Sequence, residues 1–268
     1  MKKLVCALLL LTGTTLVFAE ANESAICSPT ANQTELKQSI KWYRDSAEKT
    51  ALYRQAYGIA TIYIENWVKT HHPKAKSWGV VLDIDETTLD NSWYFIKCSD
   101  IADNESDFSH FVSIPAKSVA LPGVAEFTHK VHQLGGYVSM VSNRDGSYHD
   151  STGNVLDATV ENLKQQQVYF DQVVLANRSA SEHPSDKNPR FNAINSGKYV
   201  AKDMVWSNEL PAHQVIAYFG DNIQDFPKFK QPAMDKLSAE DSTYKIFGNG
   251  YFIMPNPMYG SWMANQYK

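Results

Sequence analysis

A short apolar run, Gly79-Val80-Val81-Leu82, stops abruptly at Asp83-Ile84-Asp85-Glu86-Thr87. No other feature constrains the fold as strongly. Consecutive apolar residues over so short a length suit a parallel strand buried on both faces. Acids just beyond such a strand lie at its carboxyl end, where open α/β sheets bind ligands. The same texture recurs along the chain. A helix over Pro122–Gly135, with Val124, Phe127, Val131 and Leu134 on one face, leads to a strand at Tyr137–Val141 that ends in Ser142-Asn143-Arg144. A helix carrying Leu156, Val160 and Leu163 leads to a third strand at Gln172–Leu175, and Gln214–Phe219 reads as a fourth, ending in Gly220-Asp221. Alternating strands and helices predict an α/β fold, an open parallel sheet flanked by helices and joined by crossovers.

Two further segments frame this core. From Asn32 to Thr70 there is no proline, and Leu36, Ile40 and Tyr43, then Ala56, Ala60, Tyr63 and Trp67, recur at helical spacing. Two helices are expected, ending before His71-His72-Pro73. Adjacent histidines point in different directions from a helix, so a solvated helix end is the better reading of this pair than a metal site. Residues 91–120 form a long polar and aromatic insertion after the first strand, and a loop of that length is expected to be functional, here as a cap over the site.

At the N-terminus, Lys2 and Lys3 precede the apolar run Leu4–Leu11 and the small-residue ending Val17-Phe18-Ala19. This is the pattern of a secretory signal peptide cleaved after Ala19. The expected organisation is a leader over 1–19, a helical prefix over 20–77 and a core over 78–268. The exported product is expected in the periplasm or outside the cell. Removing Lys2 and Lys3 takes the formal charge from −4 to −6, so no basic excess exists to attract a nucleic acid polymer. With 43% hydrophobic residues the chain can bury a large core. No later stretch approaches the about 20 apolar residues of a membrane span. Cys6 departs with the leader. Cys27 and Cys98 remain, and in an oxidising compartment one disulfide is expected, two buried thiols being the alternative. Homodimerisation is left open.

The strand ends carry the chemistry. Asp83 and Asp85 can bind a hard cation and divide nucleophilic from acid–base work. An Asp-x-Asp pair alone also occurs in sugar-nucleotide transferases and calcium loops, but the apolar run before it and Thr87 after it narrow the choice. Gly220-Asp221-Asn222-Ile223-Gln224-Asp225 adds two carboxylates. Four acids on one sheet edge repel one another unless a cation lies among them. Magnesium suits oxygen ligands and phosphate exchange, and calcium remains open. Ser142 can bond a phosphoryl oxygen, and Lys187, in Ser185-Asp186-Lys187-Asn188-Pro189-Arg190, can neutralise its charge.

In this order and strand context, Val80–Thr87, Ser142, Lys187 and Gly220-Asp221 with Asp225 resemble the four motifs of the haloacid dehalogenase (HAD) superfamily phosphohydrolases. Within it the chain is similar to the exported acid phosphatases of subfamily IIIB, which include the lipoprotein e-type outer-membrane nucleotidases. Leu89-Asp90-Asn91-Ser92, Val141–Arg144, Phe219–Asn222 and Pro255-Asn256-Pro257-Met258-Tyr259-Gly260 carry that likeness. A lipid-attachment cysteine after the leader is missing, which departs from the lipoprotein members. The resemblance implies a HAD-like Rossmannoid sheet with a small cap. It implies Asp83 as nucleophile and Asp85 as acid–base group. Magnesium would bind the carboxylates of Asp83 and Asp221 and the carbonyl of Asp85. Ser142 and Lys187 would hold phosphoryl oxygens, and Asp225 would orient metal waters or Lys187. Thr87 reads equally as phosphate donor or turn-former.

Trp93 and Tyr94 follow the first motif, and Tyr259 with Trp262 lies in a Pro- and Gly-containing C-terminal segment. In the similar nucleotidases, aromatics so placed sandwich the base, and packing in a core or dimer is the plainer alternative. Base stacking tolerates any nucleobase. The function expected is thus a magnesium-dependent acid phosphatase acting on nucleoside 5'-monophosphates. A broader phosphomonoesterase or phosphotransferase, and a non-enzymatic binding or storage protein on the same fold, stand as alternatives.

Overall fold

A computed structural model describes residues 37–97, 105–114 and 118–266. The leader over 1–19, Leu36, Cys27 and Cys98, and with them the expected disulfide, lie outside the described residues.

In chain order the elements begin with two helices, α1 (Gln38–Asp45) and α2 (Ala47–His71). Ser46 caps α2 by accepting the Lys49 N–H at 3.1 Å. The helix ends where His72 turns left-handed, at φ +47°, directly before Pro73. His71 and His72 are both exposed at that end. The buried stripe of α2 is Tyr53, Tyr57, Ala60 and Ile64, so Ala56, Tyr63 and Trp67 flank it as partly buried neighbours.

Next come β1 (Trp78–Leu82), the short β2 (Leu89–Asp90), α3 (Ser92–Lys97), α4 (Glu105–Val112) and β3 (Val119–Ala120). Strands β2 and β3 pair antiparallel, Leu89 with Ala120 and Asp90 with Val119, and so clamp the base of the insertion. They are followed by α5 (Val124–Gln133), β4 (Tyr137–Asp145), the hairpin β5 (His149–Asp150) and β6 (Gly153–Asn154), α6 (Val155–Gln165) and β7 (Gln172–Ala176). The chain continues through α7 (Asn188–Ser196), β8 (Met204–Trp206), β9 (Gln214–Gly220), α8 (Gln231–Met234) and β10 (Tyr251–Ile253).

The main sheet has the order β10-β9-β1-β4-β7-β8, parallel throughout except that β8 runs antiparallel to β7. The expected α/β architecture is therefore present. From β1 the chain steps outward through β4 and β7, then returns to place β9 on the other side of β1. The carboxyl ends of β1 and β9 thus meet where the winding reverses, the usual ligand position in such sheets.

Alternation along the strands explains the layering. Val80 and Leu82, with Val138, Met140, Val173, Leu175, Ala217 and Phe219, join the core shared with α2, α5 and α6. Val81, Val141 and Val174 face the opposite way, against Phe191, Ala193 and Ile194 of α7. Each such aliphatic side chain contributes about 1.5–3 kcal/mol on burial. Strand β4 runs four residues past the expected end at Val141, with a register irregularity between Ser142 and Asp145. The apolar pattern stops where the strand reaches the ligand edge, but the backbone ladder does not need apolar side chains to continue. Strands β8 and β10 are three residues each and too short to carry a readable alternation.

Candidate active site

Four strand ends supply the site. Asp83 and Asp85 follow β1, Ser142 and Arg144 lie in β4, Lys187 precedes α7 beyond β7, and Asp221 and Asp225 follow β9. Asp83, Asp85, Ser142, Lys187, Asp221, Asp225 and Tyr259 all line one cleft of about 170 Å3. The insertion contributes Glu105, Phe108 and Ser109 of α4 to its wall, and Arg178 lines it too, in an ion pair with Glu105.

The nucleophile candidate is buried and paired. Lys187 forms an ion pair with Asp83 and a second with Asp225 Oδ1 at 2.8 Å. Gly220 makes this geometry feasible, because a Cβ there would stand 2.6 Å from an Asp225 carboxylate oxygen. Asp225 then folds back over the strand end, where its Oδ2 accepts the Asn222 N–H at 2.9 Å. Carboxylate oxygens of Asp83, Asp221 and Asp225 lie within 4.8 Å of one another.

The electrostatics follow from that crowding. Burial pushes the Asp83 carboxyl well above the usual carboxylate range. Lys187 opposes the rise, and Asp225, Asp221 and Asp85 add to it. Asp221 is pushed up to about 8, by burial and then by Asp225 and Glu86. Burial alone would pull the Lys187 amine down, yet the Asp225 and Asp83 carboxylates raise it. A buried anionic pocket with one ammonium group and three convergent carboxylates fits a hard divalent cation, whose charge would offset the repulsion. Asp225 joins Asp83 and Asp221 in this set, closer to the centre than a supporting position implies.

Asp85 is held differently. Its carboxylate accepts Arg144 Nη2 at 2.8 Å and Nε at 3.0 Å, Asn91 Nδ2 at 2.7 Å and Ser142 Oγ at 3.1 Å. Arg144 is itself buried and anchored by Nη1 on Thr159 Oγ1 at 2.9 Å. Four donor atoms thus hold this carboxylate in one orientation, two residues from Asp83. Arg144 was visible in the sequence only as a strand-end residue. Its bidentate grip on Asp85, 59 positions away, is a tertiary fact. The same holds for Asn256, whose Nδ2 donates to Asp221 Oδ2 at 2.8 Å.

Three sequence expectations are corrected. Thr87 is fully buried, and its hydroxyl donates to Asp221 Oδ1 at 3.1 Å, so it supports a carboxylate and does not face the cleft as a phosphate donor. Tyr94 is fully buried among Phe95, Phe108 and Phe111 and cannot offer a face to a nucleobase. Trp93 stacks on Phe111 at 5.9 Å and is outside the cleft lining. In helix α3 the two consecutive aromatics turn toward the insertion's own core. Tyr259 does line the cleft. Its ring stacks on Phe95 at 5.0 Å and its hydroxyl donates to the Glu86 carboxylate. Burial, then Asp85, pushes that Glu86 carboxyl up to about 8. Phe108 of α4, absent from the sequence expectation, is the aromatic that the cleft gains in place of Trp93 and Tyr94.

Comparison with known proteins gives the family and the fold. The chain matches the family described as HAD superfamily, subfamily IIIB (acid phosphatase), over residues 11–262. The fold is similar to the class C acid phosphatase of Bacillus anthracis with tungstate bound, at a TM-score of 0.62 and 24% identity, covering 84% of each chain. A second structure of that class C acid phosphatase from Bacillus anthracis aligns at a TM-score of 0.61, with 24% identity and 84% of each chain covered.

Proposed function

Since this chain belongs to the HAD superfamily, subfamily IIIB (acid phosphatase), and is a phosphomonoesterase, we propose that it hydrolyses nucleoside 5'-monophosphates with magnesium, through an aspartyl-phosphate on Asp83. The observation that carries this reading is the convergence of Asp83, Asp85, Ser142, Lys187, Asp221 and Asp225 on one cleft with Tyr259 and Phe108 in its wall. Asp83 attacks phosphorus with a carboxylate oxygen, and the bond from phosphorus to the ester oxygen breaks. Asp85 gives a proton to the departing alkoxide. It then takes one from the water that attacks phosphorus, and the bond to Asp83 breaks to release phosphate. Lys187 and Ser142 hold phosphoryl oxygens, since such transfers depend on position and charge. Asp83, Asp221 and Asp225 would hold the metal, with the Asp85 carbonyl, and a bound magnesium ion supplies charge that offsets an anionic nucleophile meeting an anionic ester.

The aromatic pair Tyr259 and Phe108 supports a planar leaving group, since both rings reach the cleft that holds the reacting carboxylates. Residues 1–19 support export. Among the described residues no helix is long and apolar enough to cross a membrane. The test is a panel of phosphate esters assayed on chelated protein before and after magnesium is returned. Metal-restored turnover with higher kcat/KM for nucleoside monophosphates than for glycerol phosphate is expected. Full activity after exhaustive chelation refutes the metal, and equal kcat/KM refutes the nucleotide preference.

A further inference from the structure

Two tyrosines of α2 reach from the N-terminal helices into the turn behind the catalytic carboxylates. The Tyr53 hydroxyl donates to the carbonyl of Glu86, and the Tyr57 hydroxyl donates to the carbonyl of Thr87 at 2.8 Å. All of these groups are buried, and the turn is strained, with Glu86 at φ +54°. The side chains of the same two turn residues lead to the cleft in two directions. Thr87 donates to Asp221, while Glu86 accepts from Tyr259 and from the Asn91 N–H at 2.8 Å. The neighbouring contacts point the same way. Tyr43 and Tyr53 hydroxyls are 2.8 Å apart, Lys49 Nζ meets Asp90 Oδ2 at 2.5 Å, and Arg44 Nη1 donates to Ser92 Oγ at 3.1 Å. A turn held in a left-handed conformation needs its buried carbonyls satisfied, and one left without a donor relaxes toward another.

We propose that Tyr57 and Tyr53 are positioning residues of the active site, Tyr57 aiming Asp221 through Thr87 and Tyr53 aiming Tyr259 through Glu86. The N-terminal helices then set metal affinity and leaving-group recognition separately, by two hydroxyls four residues apart. This rests on the magnesium-dependent nucleotidase reading above.

Tyr57→Phe and Tyr53→Phe remove only the hydroxyls. The Tyr57 ring keeps its packing against Phe127 at 5.4 Å and Phe219 at 5.8 Å. Two readouts separate the branches: equilibrium binding of Mn2+ to the resting full chain, without substrate, and the ratio of KM for AMP to KM for glycerol phosphate at saturating metal. Tyr57→Phe is expected to weaken Mn2+ binding by about 3- to 10-fold, less than the roughly 10- to 100-fold expected of Thr87→Val. Adding Tyr57→Phe to Thr87→Val should cost little more, because the two act on one path. Tyr53→Phe is expected to raise the KM ratio by about 3- to 10-fold, with Mn2+ binding within about 2-fold of wild type. A role confined to stability lowers the melting temperature of both variants and moves neither property. That result, or equal effects of both variants on both readouts, overturns the proposal. Wild-type protein that binds no metal overturns the functional reading and the Tyr57 branch together, whereas normal wild-type binding with unaltered variants overturns the positioning roles alone.

Discussion

Lys187→Met puts the electrostatic account of the site to a direct test. Lys187 is 3% exposed and serves two carboxylates, Asp83 and Asp225, that are 8% and 7% exposed. Removing one partner of a buried ion pair typically costs about 3–5 kcal/mol, because the remaining charge stays out of water. In metal-free protein this corresponds to a urea midpoint lower by roughly 1–1.7 M, taking a slope of about 3 kcal/mol per M for a chain of this size. The loss should depend on pH, and its sign follows from Asp83. Its carboxyl already lies above the usual range, and Lys187 is the group that opposes the rise. Without Lys187 the folded pKa goes higher still. A carboxyl raised on folding binds a proton that the unfolded chain has released, so its contribution to stability falls as pH increases between the unfolded and folded values. Lys187 itself, its amine raised, stays charged across this range. The variant should therefore be destabilised more at about pH 8 than at about pH 5. The same change should lower kcat by roughly 10²–10³-fold, the usual loss for one preorganised charge-stabilising donor. Urea unfolding of chelated wild type and variant at both pH values is the assay. Equal destabilisation at the two pH values, or turnover undiminished, refutes the reasoning.

The other expectations follow from the same geometry. Asp83→Asn should abolish phosphate release while leaving the circular dichroism spectrum unchanged, since an amide cannot form the acyl-phosphate. Asp85→Asn should reduce kcat by about 10²–10⁴-fold, and normal turnover would remove it from acid–base work. Chelated wild type should melt at a higher temperature near pH 5 than near pH 8, because Glu86 and Asp221, both pushed up to about 8, keep their protons in the folded state as the unfolded chain loses them. Saturating magnesium should narrow that difference. Tyr259→Ala should lower kcat/KM for AMP by about 5- to 150-fold, the worth of one base stack, and for glycerol phosphate much less. Equal losses would assign Tyr259 to the phosphate end of the site, through its bond to Glu86.

The strands that carry the site could be read from the sequence because their signal is local. Val80–Leu82, Val173–Leu175 and the residues before Gly220 are apolar because both sheet faces are covered, and the polar residues that follow mark the sheet edge whatever the rest of the chain does. From that came Asp83, Asp85, Ser142 and Asp221, with Asp225 in the turn that follows, whereas Lys187, well beyond the third strand, came from its charge and the likeness to the HAD motifs; the structure brings all six to one cleft. The short strands β8 and β10 and the polar end of β4 were not legible, since their ladders are made by backbone groups that leave no periodic trace. Side-chain partners were legible least of all. Arg144 on Asp85, Asn256 on Asp221 and Tyr259 on Glu86 join positions 59, 35 and 173 residues apart. Trp93, Tyr94 and Phe108 have the same chemistry in the sequence, yet only Phe108 faces the cleft, because helices α3 and α4 pack so that the other two rings fill the space between them. The sequence by itself determined which residues end the strands, and so which chemistry the edge can support. Tertiary structure alone decided which of those groups touch, because burial and strand alternation depend on near neighbours, whereas a hydrogen bond between distant residues depends on the packing of every element that separates them.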